Sequence, residues 1–128
     1  MTPTQRTLNE ARKRGWQASV VEKWIPQTRR RVDVWGFGDV LAAGGGSIYL
    51  IQATSGSNSS ARYRKIVEDC AEPAKAWLDS GGRILVWGWR KYKKPVDRKF
   101  WRAYEIEITK ADFLGGISID KGHPAAEQ

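Results

Sequence analysis

The chain has 128 residues, of which 41% are hydrophobic and 28% charged, a composition typical of one folded domain. Its longest apolar stretches are only a few residues, such as 48–51, which excludes a membrane span, and we expect no signal segment. A single cysteine excludes an internal disulfide, and with one histidine it makes a Cys/His zinc site or catalytic pair unexpected. We therefore expect one cytoplasmic domain over 1–128 that makes no membrane contact.

The positive charge is concentrated in two blocks. Residues 1–35 carry eight basic and three acidic side chains, a net charge of +5, and residues 83–110 carry nine and three, a net charge of +6. Residues 36–82 and 111–128 carry −1 and −2, so the chain has a net charge of +8 and a pI near 9.9. Such basic blocks predict a polyanionic partner, with DNA the first candidate, and a merely solubilising surface is the alternative.

The first half of the chain is predicted to form one helix and three strands. The helix covers 5–14, with Thr4 as its N-cap and Gly15 as its stop. The strands are 17–24, 32–43 with a bend at Gly36 and Gly38, and 47–54 after a glycine turn at 44–46. Three strands joined by short connections predict a meander.

The second half is predicted to return to the sheet through a long helix. That helix covers 61–79, and Pro73 should kink it or divide it into two. Two further strands follow, 83–89 and 101–109, and residues 115–128 are expected to be a frayed tail outside a core of about 5–109. The order α-β-β-β-α-β-β predicts a single α/β domain with a mixed central β-sheet.

Polar side chains are predicted to meet near the ends of the second and third strands. Asp39 lies on the second strand, and the third carries Gln52-Ala53-Thr54, in which residues 52 and 54 share a face. Antiparallel pairing about the glycine turn brings Asp39 to the level of residues 50–52. We therefore expect Asp39 beside Gln52 at the end of the sheet.

An αβββαβ order with Asp on the second strand and a polar-x-polar triplet on the third resembles the PD-(D/E)XK nuclease superfamily. Within it, the chain is most similar to small Holliday-junction-resolvase-like and phage-encoded nucleases. The resemblance implies a restriction-endonuclease-like core plus a C-terminal strand. It also implies an endonuclease that uses Mg²⁺ or Mn²⁺ on branched or duplex DNA, and a homodimer, because a four-way junction presents two symmetric cuts.

The resemblance also implies roles for particular residues. Asp39 corresponds to the metal-binding aspartate, Gln52 stands where Glu or Asp is usual, and the Ala53 carbonyl would complete the metal site. Thr54 occupies the lysine position, so Lys65 or Arg62 on the following helix is expected to act as a substitute cation. The acid found on the first helix of resolvase-like members corresponds to Glu10, with Glu22 and Asp33 as the other candidates for a third acid.

These departures from the family pattern keep a second class of function open. Glutamine brings no charge to a metal and threonine brings no cation, so a catalytically degenerate fold that binds nucleic acid or protein is the alternative. Plainer roles are also open for single residues. Asp39 would then cap a turn or pair with an arginine, Gln52 would be a core amide, Glu10 would pair with Arg14, and Lys65 would lie on the polar face of its helix.

Basic residues in two loops are predicted to contact DNA. Arg29, Arg30 and Arg31 lie between the first two strands, and Arg90, Lys91, Lys93 and Lys94 follow the fourth strand. Trp89 and Tyr92 are interleaved with the second set and are candidates for stacking on unpaired bases. We expect most of the seven tryptophans, including Trp77, Trp87 or Trp89, to be core residues, with at most one or two exposed.

Overall fold

The computed structural model describes residues 1–93, 99–113 and 123–124, and the first element is helix α1, Pro3–Lys13. Its N-cap is Thr2, whose side chain accepts a hydrogen bond from the Gln5 amide, and not Thr4 as predicted. The reason is Pro3, which suits the first helical position and starts the helix earlier. Gly15 ends the helix as predicted, at φ 83°, with its amide bonded to the Arg12 carbonyl.

The central sheet contains six strands in the order β1-β4-β5-β6-β7-β8. All neighbouring pairs are antiparallel except β5 and β6, which are parallel because helices connect them. The bounds are β1 Gln17–Val20, β4 Val40–Gly44, β5 Ser47–Ser55, β6 Arg83–Lys93, β7 Lys99–Ile108 and β8 His123–Pro124. Apart from β8, the expected tail at 115–128 lies outside the described residues.

A small two-stranded hairpin interrupts the predicted meander. It consists of β2, Lys23–Ile25, and β3, Arg30–Val32, which form a sheet of their own. The predicted strands 17–24 and 32–43 are therefore wrong as continuous strands. The first is broken because the Val21 and Glu22 amides both bond to the Asp39 carbonyl, at 2.8 and 3.4 Å. The second is broken where Trp35 and Gly36 have positive φ, which confirms the predicted bend at Gly36.

The connection between β5 and β6 contains two helices. A 3₁₀ turn, Gly56–Asn58, leads into α2, Ser59–Asp69, and α3, Ala71–Asp79, follows after a break at Cys70. The predicted division by Pro73 is confirmed. The break lies three residues before the proline because its ring and its missing N–H disturb the carbonyls of the preceding turn.

The two faces of the sheet carry separate cores. On one face α1 packs with Leu8 and Ala11 against a cluster that contains Ile51 and Trp87. On the other face α2 and α3 pack against a cluster that contains Leu50 and other alternate strand residues. Because side chains alternate along a strand, odd-numbered residues of β5, β6 and β7 face α1, and even-numbered residues face α2 and α3.

The N-terminal end of α2 lies very close to strand β6. A Cβ atom added at Gly88 would collide with the Ser59 Oγ and would lie 3.0 Å from the Gly56 Cα. Only glycine fits at position 88 with this spacing.

Over the described residues, the chain forms a single α/β domain with a mixed central sheet and three α-helices. Without the β2–β3 hairpin and β8, the order of elements is the predicted one, with the long helix divided into α2 and α3. Strand β8 lies within 115–128, so the prediction of a frayed tail there is wrong for His123–Pro124. None of the helices in the described ranges is long and apolar enough to cross a bilayer.

Candidate functional site

Asp39 and Gln52 lie side by side, as the predicted register requires. Val40 is paired with Ile51, and the Asp39 amide donates to the Ile51 carbonyl at 3.0 Å, so Asp39 lies opposite Gln52. The Gln52 Nε2 donates to the Asp39 Oδ2 at 2.7 Å. Both side chains are 4% exposed, on the α2/α3 face at the start of β4 and near the end of β5. The sequence-based prediction that places these two residues together is confirmed.

The Asp39 carboxyl group is held in a site that favours its neutral form. Burial raises its pKa, a hydrogen bond from the Ala53 amide at 2.8 Å lowers it, and the charges of Glu22 and Asp33 raise it. The Glu22 side chain also forms a hydrogen bond with it that raises the pKa further. The resulting pKa is about 7, so this carboxyl group is about half protonated near neutral pH.

Glu22 brings a second carboxyl group to Asp39 from outside the main sheet. It follows β1, and the same Asp39 carbonyl that breaks β1 accepts its amide hydrogen bond. Its side chain is 15% exposed and lies 3.6 Å from the Arg31 guanidinium. Asp33 acts on Asp39 through charge alone. We call Asp39, Glu22, Asp33 and Gln52 the acidic cluster.

One buried atom of the acidic cluster lacks a partner. The Oε1 of Gln52 has no hydrogen-bond partner within the described part of the chain, although the Nε2 of the same amide is bonded to Asp39. A buried polar atom without a partner costs free energy, and such atoms are rare in folded proteins. The Gln52 Oε1 is therefore a candidate ligand for a cation next to the carboxyl groups of Asp39 and Glu22.

The acidic cluster contains fewer charged ligands than a common metal site. Among the described residues, no group of three or more His, Cys, Asp or Glu side chains has an arrangement that holds a metal ion. The donors that fit a divalent cation are the Asp39 and Glu22 carboxylates and the Gln52 amide oxygen, all oxygen ligands of the kind that Mg²⁺ prefers.

The other predicted catalytic residues lie at different places. Thr54 is 6% exposed on the same face as Gln52, two residues along β5 and opposite Gly88. Glu10 is on α1, on the opposite face of the sheet, and forms a 3.0 Å ion pair with Arg14. The contact that Ala53 makes with Asp39 is through its amide. Thus the structure brings Glu22 and Asp33, rather than Glu10, to Asp39.

Lys65 borders the acidic cluster through Cys70. Burial raises the pKa of the Cys70 thiol, Lys65 lowers it, and Asp69 and Asp33 raise it. Asp33 therefore acts electrostatically on both Asp39 and Cys70, and Lys65 lies on the Cys70 side. Arg62, one turn earlier on α2, is half-buried.

The predicted DNA-binding residues occupy two regions. Arg29 lies in the turn of the β2–β3 hairpin, with φ 52°, and Arg30 and Arg31 lie on β3, all three exposed. In the second region Arg90 is exposed, donates to the Gly56 carbonyl at 3.3 Å and lies over the Tyr104 ring. The Lys93 side chain and all of Lys94 lie outside the described residues.

The prediction for the tryptophans is partly wrong. Trp87 and Trp89 are core residues as predicted, and the Trp89 Nε1 donates to the Thr7 Oγ1 at 2.9 Å, so this ring is not available for stacking on a base. Three tryptophans are exposed rather than one or two: Trp24 by 49%, Trp35 by 51% and Trp101 by 41%. Trp101 was not predicted as a functional residue, although its position after the basic stretch 90–99 is the signal that indicates it.

No protein-family model, curated protein or solved structure matches this chain.

Proposed function

We propose that this protein is a metal-dependent DNA endonuclease with a PD-(D/E)XK-type αβββαβ core, of the Holliday-junction-resolvase-like kind. The observation that carries the proposal is the 2.7 Å contact between the Gln52 Nε2 and Asp39, because it leaves the unpartnered oxygen of a buried amide beside two carboxyl groups. The topology supports the same proposal. Strands β1, β4 and β5 are antiparallel, and helices then lead to the parallel strand β6. A homodimer with two equivalent sites is part of this proposal.

In this proposal Asp39, Glu22 and the Gln52 Oε1 hold Mg²⁺ or Mn²⁺. When bound, the ion polarises the scissile phosphate and lowers the pKa of an attacking water. The hydrogen bond from Gln52 Nε2 to Asp39 fixes the side-chain amide, so that its unpartnered oxygen would be available to hold the ion. The Ala53 amide holds one oxygen of Asp39 and leaves the other for the ion.

Basic residues around the acidic cluster are proposed to bind the DNA backbone. The contact between Arg31 and Glu22 supports this role for the hairpin, because it brings three arginines to the border of the cluster. Phosphates bound by Arg29 and Arg30 would then lie close to the cation. Lys65 and Arg62 on α2 are proposed to stabilise negative charge from the other side, in place of the lysine that Thr54 replaces.

The second candidate function is a nucleic-acid-binding module that does not cleave. The observation that favours it is the Asp39 pKa of about 7, because a carboxyl group that keeps its proton near neutral pH binds a cation weakly. Gln52 and Thr54 in place of a carboxylate and a lysine favour the same alternative.

Cleavage of four-way junction and duplex DNA in Mg²⁺ and Mn²⁺ buffers tests the proposal. We expect Asp39→Asn to abolish cleavage without weakening DNA binding, because it removes charge from the cation site and adds no bulk. Gln52→Glu should maintain or raise the cleavage rate, since a further carboxylate beside Asp39 and Glu22 strengthens the site. Glu10→Gln is the matched control, because it neutralises an acid on the opposite face of the sheet.

Two outcomes would decide against the proposal. Cleavage that persists in Asp39→Asn would remove the acidic cluster from the reaction. A wild-type protein that binds DNA and never cuts it, across both metals and both substrates, would support the non-cleaving module instead.

A further inference from the structure

Trp101 presents an aromatic ring between cations on the α1 face of the sheet. It lies on β7, on the same face as the core residue Ala103, and is 41% exposed. The Arg6 guanidinium from α1 lies 3.8 Å from the centre of the ring, and the Lys91 ammonium from β6 lies 5.7 Å from it. A tryptophan in the core of a protein would be covered by apolar side chains, whereas this ring faces solvent and positive charge.

A groove lies beside this ring, between α1 and the β6–β7 strands. Its volume is about 180 Å³, and Arg6, Lys13, Trp89 and Trp101 are among the residues that line it. This is smaller than the roughly 300–1,000 Å³ of pockets that enclose a drug-sized ligand, so the groove suits one planar ring of a longer molecule. The Trp89 Nε1 is already bonded to Thr7, which leaves the ring as an apolar wall.

The charge around the groove favours an anionic ligand. Arg6, Lys13 and Lys91 form no ion pair with a carboxylate among the described residues. The acid that lines the groove, Glu10, is paired with Arg14 at 3.0 Å, so its negative charge is largely compensated. An aromatic wall with uncompensated cations on both sides is the arrangement that binds single-stranded nucleic acid.

We propose that this groove, which we call the Trp101 groove, binds an unpaired nucleotide of single-stranded DNA. The base takes the place of the Arg6 guanidinium over the Trp101 ring, and Arg6, Lys13 and Lys91 then contact the neighbouring phosphates. The Trp101 groove and the acidic cluster lie on opposite faces of the sheet, so the inference does not rest on cleavage at Asp39. It adds a second nucleic-acid contact to either of the two proposed functions.

Fluorescence anisotropy with a labelled oligothymidylate of about twelve nucleotides, in EDTA, tests this inference. We expect Trp101→Ala to weaken binding by roughly tenfold, because stacking on one aromatic ring contributes that much to single-strand affinity. Trp101→Phe should restore most of the affinity, since it restores a ring. Trp35→Ala is the matched control, because Trp35 is also exposed but has no cation over its ring among the described residues.

Several results would overturn the inference. Unchanged affinity in Trp101→Ala, or an equal loss in Trp35→Ala, would mean that the Trp101 ring does not stack on a base. Competition by polyglutamate as strong as that by oligothymidylate would identify a general anion-binding or acidic-peptide surface. Since no metal is present, failure here is distinguishable from failure of the nuclease proposal, in which binding persists without cleavage.

Discussion

Among the described residues, the buried tryptophans on the α1 face of the sheet have hydrogen-bond partners for their polar atoms. On the opposite face, three of the described side chains each have a buried polar atom without a hydrogen-bond partner. Trp87 donates to Glu105 at 3.0 Å, and Trp89 donates to the buried Thr7 at 2.9 Å. On the α2/α3 side, the described residues with a buried, unpartnered atom are Gln52, Ser59 and Arg102.

This difference separates structural roles from functional ones. Buried polar groups that are fully paired give a core a single arrangement, and they have little left to offer a ligand. Buried polar groups that lack a partner cost stability and persist where something else uses them. The comparison therefore supports the proposed ligand site on the α2/α3 face. The α1 face is expected to contribute mainly stability, apart from the proposed Trp101 groove at its exposed rim.

The largest effect on the free energy of unfolding should come from a substitution on the α1 face. Trp87 is fully buried, packs edge-on against Trp89 and donates to Glu105 at 3.0 Å. We expect Trp87→Ala to lower the free energy of unfolding by about 3–5 kcal/mol, measured by urea denaturation, because the lost ring leaves a cavity. Trp24→Ala is the control, since this ring is 49% exposed and should change stability by less than about 0.5 kcal/mol. Equal losses in the two variants would contradict the assignment of Trp87 to the core.

Asp39 should make the stability of the protein depend on pH. Its pKa is 3.8 when unfolded and about 7 when folded, so the folded state keeps a proton that the unfolded state releases. The free energy of unfolding should therefore fall as the pH rises from about 4 to about 7, by up to about 4 kcal/mol, and should level off above that range. Urea denaturation across this range should show the fall in the wild type and a flatter profile in Asp39→Asn.

An exposed acid provides the control for this pH dependence. The Asp79 side chain is 66% exposed and paired with Lys110 at the surface, so Asp79→Asn should retain the wild-type profile. If the free energy of unfolding changed with pH in the same way in the wild type and in Asp39→Asn, the buried carboxyl group would not hold a proton in the folded state. That result would contradict the contrast between the α1 face and the α2/α3 face.

The smallest effect should come from an unpartnered hydroxyl. Ser59 is 2% exposed and its Oγ has no hydrogen-bond partner in the described ranges, so Ser59→Ala should raise the free energy of unfolding by about 1 kcal/mol. Ser57→Ala, which removes an exposed hydroxyl bonded to Ser55, should give no such gain in the same denaturation experiment. A loss of stability in Ser59→Ala would mean that this hydroxyl has a partner after all.

The contact at the centre of the site could be predicted from the sequence. A glycine turn at 44–46 fixes the register of β4 and β5, and that register alone brings Asp39 to Gln52. The approach of Glu22 could not be predicted in the same way. It depends on two interruptions of the predicted strands. At one, the amides of Val21 and Glu22 both bond to the Asp39 carbonyl, and at the other Trp35 has a positive φ. No local sequence pattern indicates a positive φ at a tryptophan.

The Trp101 groove shows a second limit of prediction from the sequence. Alternation along β7 assigns Trp101 to the face of Ala103, a core residue, and would predict a buried ring. Its exposure depends on how far α1 covers that face, which is a property of the tertiary structure. Similarly, the sequence gives no sign that Glu10 and Asp39 lie on opposite faces, because that follows from the side on which α1 packs.

The contact at Gly88 has a consequence for how this domain tolerates change. Because Gly88 has no side chain, β6 and the start of α2 lie in direct contact there. Any side chain at position 88 would move that end of the helix away from the sheet. Arg62, Lys65 and the end of β5 would then separate, while the paired core around Trp87 on the opposite side would keep its contacts. A single methyl group at this position would thus loosen the side of the molecule that carries the acidic cluster and leave the core around Trp87 folded.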